Sequence, residues 1–158
     1  MKQTEYVSYF TSTHAVVKST WRSPSALSNG TQRYRIRTIM GASAASLLTT
    51  VNNTLQITYR DDENSGKFLL RSVNSGGTET TVDSGVTFAA DTEYTTSITM
   101  NKAGDEATFY INGAMVGRIT TNLPSATTWG AGIQYGKLVG TGTVTFYVNR
   151  VMAAAIQP

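Results

Sequence analysis

Residues 91–124, DTEYTTSITMNKAGDEATFYINGAMVGRITTNLP, hold this chain to one kind of local structure. Tyr94, Thr96, Ile98 and Met100 share one side of an extended strand, and Ala107, Phe109 and Ile111 share one side of the next, because successive strand side chains point to opposite faces. Asn101, Lys102, Ala103 and Gly104 supply a first turn. Asn112-Gly113 supplies a second, since Asn-Gly accepts the positive φ that tight hairpins require. Three consecutive antiparallel strands, each with a dry and a wet face, are predicted.

The rest of the chain repeats that grammar. Thr4–Phe10 alternates with apolar groups on both sides, and 13–18 continues or pairs with it. Ser19–Gly30, STWRSPSALSNG, reads as a loop from its serines, Pro24 and Asn29-Gly30. Trp21 therefore either stacks on a sugar or partner, or plugs one end of the core, and the plug is favoured because most tryptophans are buried. In Thr31–Met40, Tyr34, Ile36 and Met40 fall on one side and Arg33, Arg35 and Arg37 on the other. The three guanidinium groups form a ladder at roughly 7 Å spacing. Such a ladder suits an acidic glycan, a phosphate or an acidic partner surface, or else simply faces cross-strand acids such as Glu93 or Glu106.

Residues 41–50 are small and without helical spacing, whereas Thr54–Arg60 and Lys67–Asn74 alternate around the hairpin tip 61–66, DDENSG. Asp61, Asp62, Glu63 and Asn64 offer oxygen ligands to calcium, but four adjacent polar residues before Ser65-Gly66 describe a solvated tip equally well. Trp129, Ala131, Ile133 and Tyr135 share a face among glycines that let a backbone or ligand come close. The closing strand, TVTFYVNRVMAA, turns Val144, Phe146 and Val148 inward and Tyr147 and Asn149 outward. About a dozen short strands with turn signals between them predict an all-β, two-sheet antiparallel sandwich of the jelly-roll kind.

Composition agrees and narrows function. The polar residues are mostly Thr, Ser, Gly and Asn, which fit strands and corners better than helices. The chain's 158 residues predict one domain, 1–158, with an N-terminal strand and loop over 1–30. No apolar run reaches the roughly 18 residues of a membrane helix, and the start lacks a secretory signal, so neither is expected. Without cysteine there is no disulfide, thiolate catalysis or cysteine-rich zinc site. A net charge of +3 with 15% charged residues is short of a nucleic-acid-binding composition. His14, the one histidine, has no neighbouring Ser or Asp constellation.

The stretch 83–124, with Asp91-Thr92-Glu93-Tyr94, Phe109-Tyr110-Ile111-Asn112-Gly113, Val116-Gly117 and Asn122-Leu123-Pro124 leading to Trp129 and Gly132-Ile133, resembles the concanavalin A-like lectin and glucanase sandwich in its laminin-G-like form. The resemblance spans 31–153; Asn149 and Arg150 stand where that family often has an Asp and an aromatic. It implies a concanavalin A-like jelly roll. Glycan-hydrolysing members set alternating carboxylates on one strand, and no strand here does, so the expectation is a protein without enzymatic activity. Short cysteine-free copies are similar to bacteriophage virion proteins. That implies a virion-surface component, capsid decoration or fibre, bound to neighbouring subunits and homo-oligomeric. The alternative it implies is a lectin-like module gripping host or environmental glycans through Trp21, Tyr110, Trp129 and Tyr147. A glycoside-active enzyme is the distant third.

Overall fold

In the computed structural model, the described residues are 4–5, 8–10, 14–41, 52–125 and 129–155. They form twelve strands: β1 (Thr4–Glu5), β2 (Ser8–Phe10), β3 (Ala15–Arg22), β4 (Tyr34–Gly41), β5 (Thr54–Tyr59), β6 (Lys67–Val73), β7 (Glu79–Thr87), β8 (Glu93–Met100), β9 (Ala107–Ile111), β10 (Ala114–Ile119), β11 (Trp129–Lys137) and β12 (Tyr147–Ala155). A single 3-10 turn, Asn64–Gly66, is the only helical piece among the described residues. The larger sheet runs β1-β11-β4-β5-β6-β7, with β2 pairing the same strand β11 as β1; the smaller runs β10-β9-β8-β3-β12. Every pairing is antiparallel. The predicted all-β sandwich is the observed fold.

The hairpin series 91–124 forms as its alternation requires. β8, β9 and β10 are consecutive neighbours, with Thr96 opposite Ile111 and Met100 opposite Ala107. Asn112 and Gly113 both take positive φ, 52° and 81°, the pair of left-handed residues a two-residue turn needs. Tyr94, Thr96, Ile98 and Met100 are all buried. At the other end of the chain the reading of Trp21 and Arg22 as loop residues is corrected. Strand β3 continues through both, its burial alternating strictly from Ala15 to Arg22. Buried Ser19 holds an inward position between Val17 and Trp21, and its hydroxyl hides the alternation from an apolar pattern.

The two inner faces meet in an aromatic core. Tyr59 and Phe88 stack with centroids 3.6 Å apart, and Phe68 and Phe88 lie edge to face at 5.5 Å. Trp21 sits among them, 5.2 Å from Tyr94 and 5.5 Å from Phe146, and is 1% exposed. It plugs the core. Its indole Nε1 donates to Thr96 Oγ1 at 3.1 Å, and that hydroxyl meets Thr38 Oγ1 of the opposite sheet at 2.6 Å. A buried indole N–H and two buried hydroxyls thus satisfy one another, as the interior demands. Gly41 ends β4 at φ +143°, where a Cβ would collide with the Asn53 carbonyl and Thr54 Cα. A side chain there would prise β4 from the start of β5.

Candidate functional site

The larger sheet turns Arg33, Arg35, Arg37 and Ile39 outward, because Tyr34, Ile36 and Met40 are committed to the core. Cross-strand register sets Arg37 opposite Gln134 on one side and Thr58 on the other, and Ile39 opposite Gln56, which faces Arg71. This outer face is polar but withdrawn from water. Arg37 is 2% exposed, Thr58 2%, Gln134 3% and Gln56 4%. Burial, with Arg35 and Arg71 adding like charge, pushes the Arg37 pKa down to about 9, so it is still cationic at neutral pH.

The arginine ladder is matched by the tip of the β5–β6 hairpin. Arg33 Nε lies 3.1 Å from Asp61 Oδ1 and Arg33 Nη1 3.1 Å from Asp62 Oδ2. Glu63 collects Arg35 at 3.6 Å, Arg60 at 3.2 Å and Arg71 at 3.0 Å, while Asp62 also meets Arg60. Arg71 reaches Glu79 on β7 at 3.3 Å. The Ser28 hydroxyl donates to Asp61 at 2.5 Å and accepts from the Tyr34 N–H at 3.0 Å. Burial alone would raise the Asp61 pKa, but the Ser28 and Arg33 hydrogen bonds outweigh it and hold it below the ordinary aspartate range.

One expectation is corrected here. The acids facing the ladder are not Glu93 or Glu106, which meet Asn149 and Arg118 instead. Asp61, Asp62, Glu63 and Asn64, the other oxygen ligands weighed, are engaged within the chain. The three carboxylates are neutralised by four arginines, Asn64 Nδ2 donates to the Phe68 carbonyl and Asp83, and no acidic or histidine cluster fit for a metal occurs among the described residues. A dication would have to displace that entire set of guanidinium partners.

The aromatic residues do not converge on one groove. Trp21 is inside the core, and the Trp129 side chain lies outside what is described. Tyr110 and Tyr147 both lie on the outer face of the smaller sheet, but on β9 and β12, with β8 and β3 between them. Tyr147 is 59% exposed and stands opposite Arg22, which stands opposite Glu93. A bulge between Val148 and Arg150 takes Asn149 out of the ladder, and its Nδ2 donates to Glu93 Oε2 at 2.7 Å. Arg22 Nε donates to Asp91 Oδ1 at 2.8 Å; their hydrogen bond and charges raise the arginine's pKa and lower the aspartate's. Sequence reading singled out Tyr147 and set Asn149 on the same side, but missed Arg22, Asp91 and Glu93 as their company. Asp91, in the turn before β8, and Arg22, at the end of β3, are far apart in sequence, and nothing in either pattern announces the pairing.

No protein-family model matches the chain, and no curated protein sequence does. Solved structures match over nearly its whole length. Sheep galectin-11 superposes with a TM-score of 0.58 at 12% identity, covering 94% of this chain and 96% of that one. A Bacillus licheniformis β-glucanase gives 0.62 at 11% identity, covering 98% and 71%, and a carbohydrate-binding module from Bacillus subtilis gives 0.53 at 12%, covering 96% and 84%. The fold is the jelly roll that galectins and glucanases share. The expectation of a protein without enzymatic activity is corrected by the same likeness. Glucanases and a κ-carrageenase stand among the neighbours beside lectins, so this scaffold does not separate the two, and a missing strand motif of carboxylates is no ground for excluding catalysis. No helix among the described residues is long and apolar enough to cross a membrane.

Proposed function

We propose that this chain is a carbohydrate-binding module whose jelly roll presents polar and aromatic side chains to a glycan. The observation that carries the reading is the end-to-end superposition on galectins and on a carbohydrate-binding module, with more than nine-tenths of this chain covered in each. The surface chemistry agrees with it. Strands rich in Thr and Ser, with tyrosines on an outer face, offer the hydrogen bonds that sugar hydroxyls need and the flat rings that their C–H faces prefer.

The reading as a virion-surface component bound to neighbouring subunits rests on sequence resemblance alone, and nothing in the fold favours it over glycan binding. The test is an array of immobilised neutral and anionic oligosaccharides probed with the full chain. Specific retention on a subset of sugars is expected. A blank array at high protein concentration would overturn the proposal.

A further inference from the structure

The two outer faces offer a glycan very different surfaces, and one is closed. On the larger sheet Arg37, Thr58, Gln56 and Gln134 are all buried, and the arginines at its end are engaged by Asp61, Asp62, Glu63 and Glu79. On the smaller sheet the end where β12, β3 and β8 carry Tyr147, Arg22 and Glu93 is open. Arg22 and Asp91 side chains are 48% and 65% exposed, and Tyr147, Asn149, Arg150 and Glu93 are all exposed.

We propose that the β12-β3-β8 end of the smaller sheet is a binding site for a neutral sugar, its ring stacked on Tyr147 and its hydroxyls held by Arg22, Asp91, Glu93 and Asn149. The proposal rests on the glycan-binding reading and adds to it a place and a chemical class. Tyr147, Arg22 and Glu93 lie side by side on three adjacent strands. At about 4.8 Å between strands, the tyrosine and the glutamate stand roughly 10 Å apart, a span that one pyranose ring and its hydroxyls fill.

The bulge widens the patch. Alternation from Tyr147 and inward Val148 already turns Asn149 outward, where it reaches Glu93, and the extra residue keeps Arg150, opposite Thr20, on that same outer side. The Asn149–Glu93 and Arg22–Asp91 hydrogen bonds hold these four side chains in place before any ligand arrives. Each retains unused capacity toward solvent. Arg22 has its terminal N–H groups, Asp91 its second oxygen, Glu93 Oε1 and Asn149 Oδ1, none of which has a hydrogen-bond partner among the described residues. Donors and acceptors alternating in this way fit hydroxyls, which both give and take. Arg22 and Arg150 balance Asp91 and Glu93 in charge, so the patch has no net field to draw an anion.

The experiment takes the best oligosaccharide from the array into calorimetric titration of the full chain and three variants. Tyr147→Ala is expected to weaken binding by about tenfold or more with an unchanged melting temperature, because it removes the stacking ring from an exposed site. Tyr147→Phe is expected to keep affinity within about threefold, and Glu93→Gln to lose about fivefold through one charge-assisted acceptor. Affinity that survives Tyr147→Ala intact would overturn this placement while leaving the glycan-binding reading standing. A best ligand that is sulfated or carboxylated would overturn the neutral-sugar class. A wild-type array with no hits would remove both.

Discussion

The outer faces of the two sheets are built from similar backbone and opposite chemistry. On the larger sheet, long cations are buried beside carboxylates delivered by a hairpin tip, and little water reaches them. On the smaller sheet, Tyr147, Arg22, Asp91 and Glu93 stay in water, and their pairs are exposed. The lesson is that a count of charged residues on a strand says nothing about their purpose. Buried ion pairs couple strongly to stability because losing one partner strands the other, whereas exposed pairs contribute little and are free to serve a ligand.

The sharpest way to break this contrast is Glu63→Ala. It leaves Arg35, Arg60 and Arg71 without their shared carboxylate in a region where Glu63 is only 18% exposed. A loss of about 2–3 kcal/mol is expected, the low end for a broken buried pair because some solvent screening persists, and urea unfolding midpoints measure it. A change under about 0.5 kcal/mol would make the larger face as dispensable as the smaller one.

Next in size is the acid dependence carried by Asp61. Its folded pKa is depressed, so its contribution is fully present above the ordinary aspartate range, about 4, and is lost as pH falls through the lower folded value. Asp61→Asn is therefore expected to cost about 1 kcal/mol at pH 7 and to flatten the loss of stability below pH ~4, read from melting temperatures across pH. An equal slope in the variant and the parent would assign the acid sensitivity to other carboxylates.

The smallest effects belong to the open face. Tyr147→Ala and Glu93→Gln are each expected to move stability by less than about 0.5 kcal/mol, as exposed substitutions usually do, and the same urea curves show it. A larger loss from Tyr147→Ala would mean that the ring supports the fold and is not held out for a partner.

Much of the architecture was legible because it depends on periodicity. Tyr34, Ile36 and Met40 against Arg33, Arg35 and Arg37 told inside from outside on β4, and Asn112-Gly113 marked a turn that forms as read. What escaped depends on proximity between distant segments. Asp61, Asp62 and Glu63 read as a solvated tip because Arg33 and Arg35, which they meet, lie just before and on β4, outside the hairpin. Trp21 read as a loop residue because Ser19, Ser23 and Pro24 surround it, although Ser19 is as buried as any valine. Asn149 reads as outward beside Tyr147, but its partner Glu93 lies on a strand 56 residues away, so the connection from Tyr147 to Glu93 escaped.

The hydroxyl contact between Thr38 and Thr96, with the Trp21 indole joined to it, works as a key between the two layers. Sliding one sheet by a single residue against the other would strand three polar atoms in an apolar interior, so the layers accept one alignment and refuse the rest. Loops at both ends of the sandwich inherit that fixed alignment. An evolving surface can therefore exchange its outward side chains freely without losing the positions from which they project.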